Sequence, residues 1–546
     1  MNTILTLLNP RQAAHHYASG AWRGDTLYSL LARHAGERPH APALRDARAR
    51  LSWRELLAWV DAVAQALHQA GVRRGQRVAV WLPSRAESVV ALLACARNGY
   101  VCNPSLHQNY TVAEIVQLLE RTRAAALMMQ AGYGADAHRS DLVAAARALP
   151  QLKAVFGAPD TPFPSPGAAC EVPPVADPDK IVYLAFTSGT TGVPKGVMHS
   201  DNTLLANGRA MVADWHHDHL TVLLSLSPMS HHIGTVAVEQ MLAAGFELVV
   251  NDPPAGMKPI DWALACGATY IMGVPTHAID ILDEAKRRGL ARLGAVHLFH
   301  MAGAPIPREV AQSFLGMGIT PQNIYGMTEN GSHQYTLPDD DSQTIVETCG
   351  RACHGYETRI FAQDNPDLEV PLGTVGEIGT RGALLMLGYF DNQTTTEESF
   401  NRDGWFLSGD LGVLDERGCL RIVGRKKDLI IRGGHNIHPA RIEDLAHRHA
   451  AVQKAAAFSV PDVRLGERAC LAVIFREGGR ITGEAMLEHL DAAGLSKYDM
   501  PEYFIALDVF PLTASGKILK RELQEWAKSG RIAPRPVRWT ESPKGK

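Results

Sequence analysis

Residues 52–104 alternate between helical and strand patterns at a spacing that few folds accommodate. Ser52 and Glu55 form a capping box, in which each side chain accepts a hydrogen bond from the other residue's backbone at the start of a helix. The predicted elements are, in order, a helix over residues 56–70, a strand over 77–82, a helix over 86–97 and a strand from 101. Strands that alternate with helices in this way pair in parallel beneath layers of helices, so the sequence predicts an α/β fold.

Length and composition exclude several classes of protein. The chain has 546 residues, enough for several cores, so we do not expect a single domain. A net charge of −3 offers no broad basic surface, which argues against nucleic-acid binding. Eight scattered cysteines fit reduced thiols, residues 1–10 lack the basic region of a secretory signal, and no apolar run approaches the roughly 20 residues that span a bilayer. We therefore expect a cytoplasmic protein without a transmembrane segment.

A Gly-rich, hydroxyl-rich segment follows the strand-like run 181–186. Its three glycines let the backbone approach a bulky anion, and its four hydroxyls and one ammonium supply donors, so the pattern is typical of a polyphosphate-binding loop. It is not a Walker A loop, because Gly196 rather than Ser or Thr follows Lys195. On the glycines alone, a hairpin turn with an incidental lysine is an equal alternative.

The segment resembles the phosphate loop of the adenylate-forming superfamily, which contains acyl-CoA synthetases, adenylation domains of peptide synthetases and luciferases. The resemblance implies that the segment holds the β- and γ-phosphates of ATP and then releases pyrophosphate. The ATP-binding residues that it implies are Thr187, Ser188, Gly189, Thr190, Thr191, Gly192 and Lys195.

A second motif of this family, Tyr-Gly-x-Thr-Glu, occupies residues 325–329. The face of Tyr325 can stack on adenine, Thr328 can donate to the α-phosphate, and Glu329 is a hard oxygen ligand suited to Mg²⁺. Gly326 permits close approach of the nucleotide, and Met327 lies between these residues. The alternative is a strand end with an exposed Thr-Glu pair, but the motif is specific once it follows the phosphate loop.

A histidine pair follows the next informative strand. Pro228, His231 and Gly234 fit a Pro-x-x-His-x-x-Gly element of the family. The resemblance implies that His231 gates the acyl pocket and takes part in catalysis, and that His232, Ile233 and Gly234 lie near the substrate.

The same residues also predict a helix N-terminus, with Ser230 as its cap. Aryl-acid adenylating enzymes for siderophores usually carry Asn at the position of His232, where it holds an ortho-hydroxyl group. This departure argues against dihydroxybenzoate or salicylate as the substrate.

Residues 298–305 predict a strand that ends in small residues. Either tight packing or close approach of a ligand explains the small side chains. The resemblance places adenine along Gly303, Ala304 and Pro305, and the acyl group near Met301 and Ala302.

The resemblance assigns further roles in the last third of the chain. Asp410 follows an apolar strand next to a glycine and would accept both ribose hydroxyls, although a β-turn Asp is the alternative. Arg425 would contact ribose and Lys427 would be the hinge, although a charge run is usually only a solvated face. Gly433 and Gly434 would line the channel for coenzyme A.

The catalytic lysine of the family corresponds to Lys517, which in isolation would be a surface lysine in a turn. The expected architecture is a large α/β domain over residues 1–424, built of layered subdomains and a β-rich subdomain near 373–388. A small mobile α+β lid domain over 425–546 would follow it, with loosely ordered residues from 531 onward.

The resemblance implies an ATP-dependent acid–CoA ligase that forms an acyl-adenylate and releases AMP and pyrophosphate, with Mg²⁺ and with coenzyme A as co-substrate. Ile233, Gly234, Ala302 and Gly303 suggest an apolar, roomy cavity for a medium-chain, alicyclic or aromatic acid. Two alternatives stay open: an adenylating enzyme that loads a carrier protein, and a non-catalytic nucleotide-binding relative. A homodimer also stays open.

Overall fold

The computed structural model describes residues 4–167, 169–187, 194–303, 306–512 and 518–539. These residues form several sheets covered by helices, so the predicted α/β class is confirmed. The α-helices are α1 Pro10–Ala18, α2 Leu27–Glu37, α3 Trp53–Gln69, α4 Ala86–Asn98, α5 Val112–Thr122, α6 Leu142–Arg147, α7 Asp201–Asp214, α8 His232–Ala244, α9 Pro259–Cys266, α10 Pro275–Arg287, α11 Arg308–Gly316, α12 Ser342–Glu347, α13 Gln393–Glu398, α14 Pro439–His447, α15 Gly483–Ala492 and α16 Lys520–Lys528. The strands are β1 Pro42–Arg45, β2 Arg50–Ser52, β3 Arg77–Trp81, β4 Val101–Asn103, β5 Ala126–Met129, β6 Ala154–Phe156, β7 Ile181–Thr187, β8 Lys195–Ser200, β9 Val222–Ser225, β10 Glu247–Val250, β11 Tyr270–Gly273, β12 Leu298–Ala302, β13 Thr320–Met327, β14 Gly331–Tyr335, β15 Arg351–Ala352, β16 Tyr356–Phe361, β17 Gly376–Gly382, β18 Phe406–Leu414, β19 Leu420–Arg425, β20 Ile430–Arg432, β21 His435–Ile437, β22 Val452–Asp462, β23 Gly466–Phe475, β24 Tyr503–Ala506 and β25 Arg535–Pro536.

The first sheet contains the elements predicted from residues 52–104. Its strand order is β6-β5-β3-β4-β7-β8, and all neighbours are parallel except the β7–β8 hairpin. The capping box at α3 is present, because Ser52 N donates to Glu55 Oε2 at 2.8 Å and Glu55 N donates to Ser52 Oγ at 3.3 Å. The local pattern therefore predicted both the class of sheet and the start of its helix.

The second sheet positions most of the candidate site. Its order is β15-β14-β13-β12-β11-β9-β10-β1-β2, and the strands from β10 through β9, β11 and β12 to β13 are parallel. Because β10 lies on one side of β9 and β11 on the other, the chain reverses direction across the sheet at β9. Open α/β sheets bind ligands outside the carboxyl ends of their strands at such a reversal.

Helix α8 covers one face of this sheet, and the other face packs in a separate core. Tyr270, Ala302 and Ile324 lie in the core that contains α8, whereas Phe299 and Met301 lie in the core on the side of α9, α10 and α11. Alternate residues of a strand point to opposite faces, which explains why the adjacent residues Met301 and Ala302 lie in different cores.

A four-stranded antiparallel sheet, β16-β17-β18-β19, follows. It confirms the predicted β-rich subdomain near residues 373–388. Asp410 lies in the middle of β18, which runs to Leu414, so the prediction that it ends its strand was wrong. The strand continues because Asp410 pairs with Arg425 of β19.

The C-terminal part is a smaller sheet with helices α14, α15 and α16. A 3₁₀ helix, Lys426–Asp428, leads from β19 to β20, and the sheet order is β21-β20-β23-β24-β25 with β22 paired to β23. Arg535 and Pro536 pair with β24, so the prediction of loose order was wrong for these two residues.

A search of the helices in the described ranges found none that is both long enough and apolar enough to cross a membrane.

Candidate active site

Tyr325 and Asp410 are buried at the edge of the β-rich subdomain, and the half-exposed side chain of Arg425 contacts Asp410. The Tyr325 hydroxyl donates to Asp410 Oδ2 at 3.0 Å, and Arg425 Nε lies 3.2 Å from Asp410 Oδ1. Burial, followed by the charge of Asp410, raises the pKa of Tyr325, so its hydroxyl stays a neutral donor. The hydrogen bond fixes the ring of Tyr325.

Glu329 lies in the turn between β13 and β14, next to a tyrosine and a lysine. It is 8% exposed, which excludes the alternative of an exposed Thr-Glu pair for this residue. The Tyr389 hydroxyl donates to Glu329 Oε1 at 2.9 Å, and the Lys195 ammonium lies 4.8 Å from the centre of the Tyr389 ring. Burial raises the pKa of Glu329, and the hydrogen bond from Tyr389 and the charge of Lys195 oppose that rise.

A single carboxylate of this kind suits one type of metal binding. Mg²⁺ is commonly held by one or two carboxylates together with phosphate oxygens of a substrate. Glu329 provides one carboxylate beside a cation, and among the described residues no group of three or more His, Cys, Asp or Glu side chains could hold a metal by itself. The donor set therefore fits an ion shared with a phosphate and does not provide a closed protein site.

Thr328 is positioned through its backbone by a histidine. His199 Nε2 donates to the Thr328 carbonyl oxygen at 2.7 Å, and its Nδ1 lies 3.0 Å from Thr203 Oγ1. Burial lowers the pKa of His199 to about 4, so the ring is neutral and its single N–H is committed to Thr328.

His199 also stacks on His232 of the acyl-side motif. The two ring centres are 5.3 Å apart with 14° between the planes. His232 Nδ1 lies 3.3 Å from the Tyr183 hydroxyl, and burial lowers the pKa of His232 well below its usual value. Stacking thus connects the backbone of the Thr328 turn with the predicted acyl pocket.

His231 caps α8 with its own side chain. Its Nδ1 accepts a hydrogen bond from Ile233 N at 3.3 Å, so the prediction that Ser230 is the cap was wrong. The Ser230 hydroxyl lies instead 2.9 Å from Nδ1 of His107. A histidine can serve because its unprotonated ring nitrogen accepts as a capping oxygen does.

The other acyl-side residues separate into two groups. Ile233 and Ala302 are buried in the same core, whereas Met301 lies in the core on the opposite face of the sheet. A Cβ added to Gly234 would lie 2.7 Å from the Pro228 carbonyl oxygen, so this glycine is required by the packing of α8 on the preceding segment.

The nucleotide-side glycines and Met327 lie at carboxyl ends of parallel strands. Gly303 follows β12 with a φ of +91°. A Cβ on Gly326 would lie 1.9 Å from the Gly331 carbonyl oxygen, so the β13–β14 hairpin itself requires this glycine. Met327 ends β13, and its N–H donates to Asn330 Oδ1 at 3.0 Å.

Thr187 and Lys195 are cross-strand partners at the end of the β7–β8 hairpin. Arg121 donates to the Pro194 carbonyl oxygen at 2.6 Å and thereby holds the start of β8. The other phosphate-loop predictions, two of the adenine-side predictions and the predicted catalytic lysine lie outside the described residues: Ser188, Gly189, Thr190, Thr191, Gly192, Ala304, Pro305 and Lys517.

Lys427 lies in the 3₁₀ helix, and the charges of Arg425, Asp410 and Lys195 act on its ammonium group. It therefore lies close to the ribose-side residues.

Gly433 and Gly434 form the turn between β20 and β21, with φ of +57° and +89°. Both angles lie in the left-handed region that favours glycine. Gly433 N donates to the Leu465 carbonyl oxygen at 2.8 Å, which ties the turn to the small sheet.

Contacts also join the C-terminal sheet to α10. Arg476, which directly follows β23, pairs with Asp283, and Lys454 Nζ of β22 lies 3.8 Å from Asp280.

Sequence reasoning missed three residues of the site, namely Tyr183, His199 and Tyr389. His199 lies four residues after Lys195 of the phosphate segment, on the same strand β8, so a longer motif would have included it. Tyr389 follows a glycine in an otherwise apolar segment and carries no local signal.

Comparison with protein families matches residues 31–390 to the family described as AMP-binding enzyme and residues 441–517 to the AMP-binding enzyme C-terminal domain. The medium-chain fatty-acid–CoA ligase of Escherichia coli (strain K12) is 29% identical over 537 residues, which are 95% of this chain and 93% of that protein. The 2-hydroxy-7-methoxy-5-methyl-1-naphthoate–CoA ligase of Streptomyces carzinostaticus is 31% identical over 545 residues, with 95% and 96% covered.

Among solved structures, ATP-bound MatB from Rhodopseudomonas palustris superposes with a TM-score of 0.80 at 28% identity and covers 93% of this chain and 100% of its own. The match over most of both chains agrees with a large N-terminal part followed by a small C-terminal part. The chain belongs to the AMP-binding enzyme family and, within it, to the adenylate-forming acyl-CoA ligases.

Proposed function

We propose that this enzyme joins a medium-chain, alicyclic or aromatic carboxylic acid to coenzyme A through an acyl-adenylate. The observation that supports this most is the arrangement around the Thr328 turn. On one side Asp410, Tyr325 and Arg425 form a hydrogen-bonded group suited to a ribose, and on the other Glu329 lies near Lys195, suited to phosphates.

In the first step, a carboxylate oxygen of the acid attacks the α-phosphorus of ATP. The bond between that phosphorus and the bridging oxygen to the β-phosphate breaks, and pyrophosphate leaves with the electron pair. In this proposal Thr328 donates to the α-phosphate, Lys195 binds the departing phosphates, and Lys517 has the role of pairing with both the carboxylate and the phosphate. Fixed donors and cations stabilise the charge that collects in the transition state and hold two anions that otherwise repel each other.

Glu329 would hold Mg²⁺ together with phosphate oxygens, and the ion would neutralise part of their charge. Tyr389 orients one oxygen of Glu329 through its hydrogen bond.

In the second step, the thiol of coenzyme A loses its proton to solvent and its sulfur attacks the acyl carbon. The bond between that carbon and the phosphate oxygen breaks, and AMP leaves with the electron pair. The part over residues 425–546 would rotate about Lys427 relative to residues 1–424. Lys517 would then leave the site, and the turn at Gly433 and Gly434 would form the thiol channel. Domain closure of this kind often limits turnover.

We also propose that the acid is mainly apolar and that the enzyme acts in the cytoplasm. The relatives named above act on a medium-chain fatty acid and on a substituted naphthoate, and both acids are mainly apolar. Ile233 and Ala302 lie buried at the predicted acyl position and match such acids.

Pyrophosphate release across a panel of acids tests the function. Acetate, octanoate, cyclohexanecarboxylate, benzoate, a hydroxycinnamate and a long-chain acid would each be supplied with and without coenzyme A, for wild type and Lys517→Ala. We expect turnover that requires coenzyme A and falls steeply in the variant. Adenylate formation that ignores coenzyme A but proceeds with a carrier protein would replace the proposal with carrier loading. ATP binding without turnover of any acid would favour a non-catalytic relative.

A further inference from the structure

Two buried polar side chains lie directly beneath the predicted acyl position. On the α8 face of the second sheet, His300 precedes Ala302 by two residues of β12, and Gln322 precedes Ile324 by two residues of β13. His300 and Gln322 are paired across the strands. Two residues advance a strand by about 6.6 Å, so this polar pair lies about that far inward from Ala302 and Ile324.

These residues belong to a polar cluster of four side chains, Gln240, Tyr270, His300 and Gln322, which we call the inner cluster. The Tyr270 hydroxyl lies 3.4 Å from Gln240 Oε1, 3.5 Å from His300 Nδ1 and 3.4 Å from Gln322 Oε1. One hydroxyl has one hydrogen and can satisfy only one of these three acceptors, and all three distances are near the limit for a hydrogen bond. The inner cluster is therefore loosely bonded for a fully buried group.

Two nitrogen atoms of the inner cluster lack hydrogen-bond partners among the described residues. Nε2 of His300 and Nε2 of Gln322 have no hydrogen-bond partner within the part of the chain that the structure describes. Burial lowers the pKa of His300 to about 3, so the ring is neutral and carries one N–H. In the tautomer whose Nδ1 accepts from the Tyr270 hydroxyl, that N–H is on Nε2. Buried donors without acceptors cost free energy, and native proteins keep them mainly where another group completes the bonds.

Neutral donors without a cation favour a neutral oxygen over a carboxylate. A desolvated carboxylate would require a paired positive charge, which no member of the inner cluster provides. A hydroxyl, ether or carbonyl oxygen needs only the two N–H groups that His300 and Gln322 present.

We propose that the acid carries a neutral oxygen substituent remote from its carboxylate, which the inner cluster receives through His300 and Gln322. This inference rests on the proposed function and narrows its substrate class. The acyl chain then has an apolar section beside Ile233, Ala302 and Ile324, followed by a polar end. A plain medium-chain acid leaves the two donors unpaired, whereas an oxygenated acid of matching length satisfies them.

Matched pairs of acids that differ only in the remote oxygen test the proposal. The pairs are benzoate with 4-hydroxybenzoate, cinnamate with 4-hydroxycinnamate, cyclohexanecarboxylate with its 4-hydroxy derivative, and octanoate with 8-hydroxyoctanoate. In the pair whose length fits, kcat/KM of the wild type is expected to be at least about tenfold higher for the oxygenated acid, because a site built to hydrogen-bond rejects the analogue that lacks the group.

Gln322→Leu and His300→Leu should abolish or reverse this preference. Gln65→Leu is the matched control, because Gln65 is also buried but lies in α3, where its Oε1 accepts from Glu171 N. Melting temperatures and ATP binding of all variants show that the nucleotide site is intact. Equal kcat/KM within every pair for the wild type, or equal losses for both members of a pair in the two variants, would overturn the proposal.

Binding measurements separate this inference from the proposed function. If no acid supports pyrophosphate release, the proposed function fails, and calorimetric affinities of the same pairs in the presence of AMP still judge the inner cluster. Tighter binding of an oxygenated acid that is lost in Gln322→Leu supports the inference, and equal affinities within every pair reject it.

Discussion

His199 and Thr328 lie 129 residues apart in the chain, and the imidazole N–H of the first donates to the carbonyl oxygen of the second at 2.7 Å. The bond fixes the turn that also carries Glu329, so we expect His199 to be a positioning residue for the reacting phosphate. Its ring is neutral because of burial.

We expect His199→Gln to lower kcat of adenylate formation by about 10- to 100-fold and to change KM for ATP less, because small misplacement of donors affects the transition state most. The exchange of labelled pyrophosphate into ATP measures this step. The matched control is His34→Gln, since His34 Nε2 also bonds a backbone oxygen, that of Leu242 at 2.8 Å, away from the site. Equal kinetic losses in the two variants would contradict a positioning role.

Stability should fall as the solution is acidified from pH 6.5 toward pH 4. Burial lowers the pKa of His199 to about 4 and of His300 to about 3, so the unfolded chain binds protons in this range and the folded chain does not. Each such histidine destabilises the fold by about 1.4 kcal/mol per pH unit in this window.

Urea denaturation between pH 8 and pH 4.5 measures this dependence. In His300→Leu the slope of the free energy of unfolding against pH should fall by about 1.4 kcal/mol per pH unit, which corresponds to one proton fewer bound on unfolding. Gln322→Leu, which removes a neighbouring polar group that does not titrate, should keep the slope of the wild type. An unchanged slope in His300→Leu would show that this ring is protonated in the fold.

Tyr389→Phe should weaken the use of Mg²⁺. In the wild type, the hydrogen bond from Tyr389 lowers the pKa of Glu329. The variant lacks this bond, so the pKa of Glu329 rises further and less of the carboxylate is ionised. The Mg²⁺ concentration for half-maximal pyrophosphate exchange should rise about three- to tenfold, and the acidic limb of the pH profile should move to higher pH. Tyr356→Phe, which removes a buried hydroxyl bonded to Thr380, is the control. A Mg²⁺ requirement unchanged in Tyr389→Phe would argue against Glu329 as the ligand.

Asp410→Ala should remove discrimination between ATP and 3′-deoxy-ATP. The wild type is expected to prefer ATP by at least about tenfold in kcat/KM, because a carboxylate is left without its donor in the deoxy complex. Tyr325→Phe keeps the carboxylate and the ring, so it should retain the preference and raise KM for ATP only several-fold. Discrimination that survives in Asp410→Ala would place the ribose contact elsewhere.

Lys427→Pro should impair thioester formation more than adenylate formation. Proline fixes φ near −65° and so restricts rotation of the chain at this point. Single-turnover measurements of the two half-reactions provide the comparison, and Lys427→Ala, which leaves φ free, is the control. Equal loss in both half-reactions would count against a hinge at this residue.

Two residues of the candidate site could be singled out from the sequence because they are close together in the chain. Tyr325 and Glu329 belong to one five-residue motif, and the strand before it and the turn after it follow from local patterns. The partners of these residues could not be predicted, because Tyr389 lies 60 residues and Asp410 lies 85 residues further along the chain.

On the acyl side, the alternation of side chains along β12 decides which residues face the predicted pocket, and a local motif does not show this. Met301 and Ala302 are adjacent in sequence, yet they face different cores. The predicted Ser230 cap was wrong because the preference for Ser at this position is general, whereas the neighbouring His231 reaches the helix N–H in this chain.

The cap at α8 couples the predicted gate, His231, to the first turn of the helix, which carries predicted pocket residues. His231 holds Ile233 N, so a swing of its ring away from the helix releases the first turn, at a cost of about 1 kcal/mol typical of a lost cap. That turn carries His232 and Ile233. If His231 is the gate, as proposed, admission of an acid would loosen the same residues that then close around it, and an acid that restores their packing would offset the lost cap.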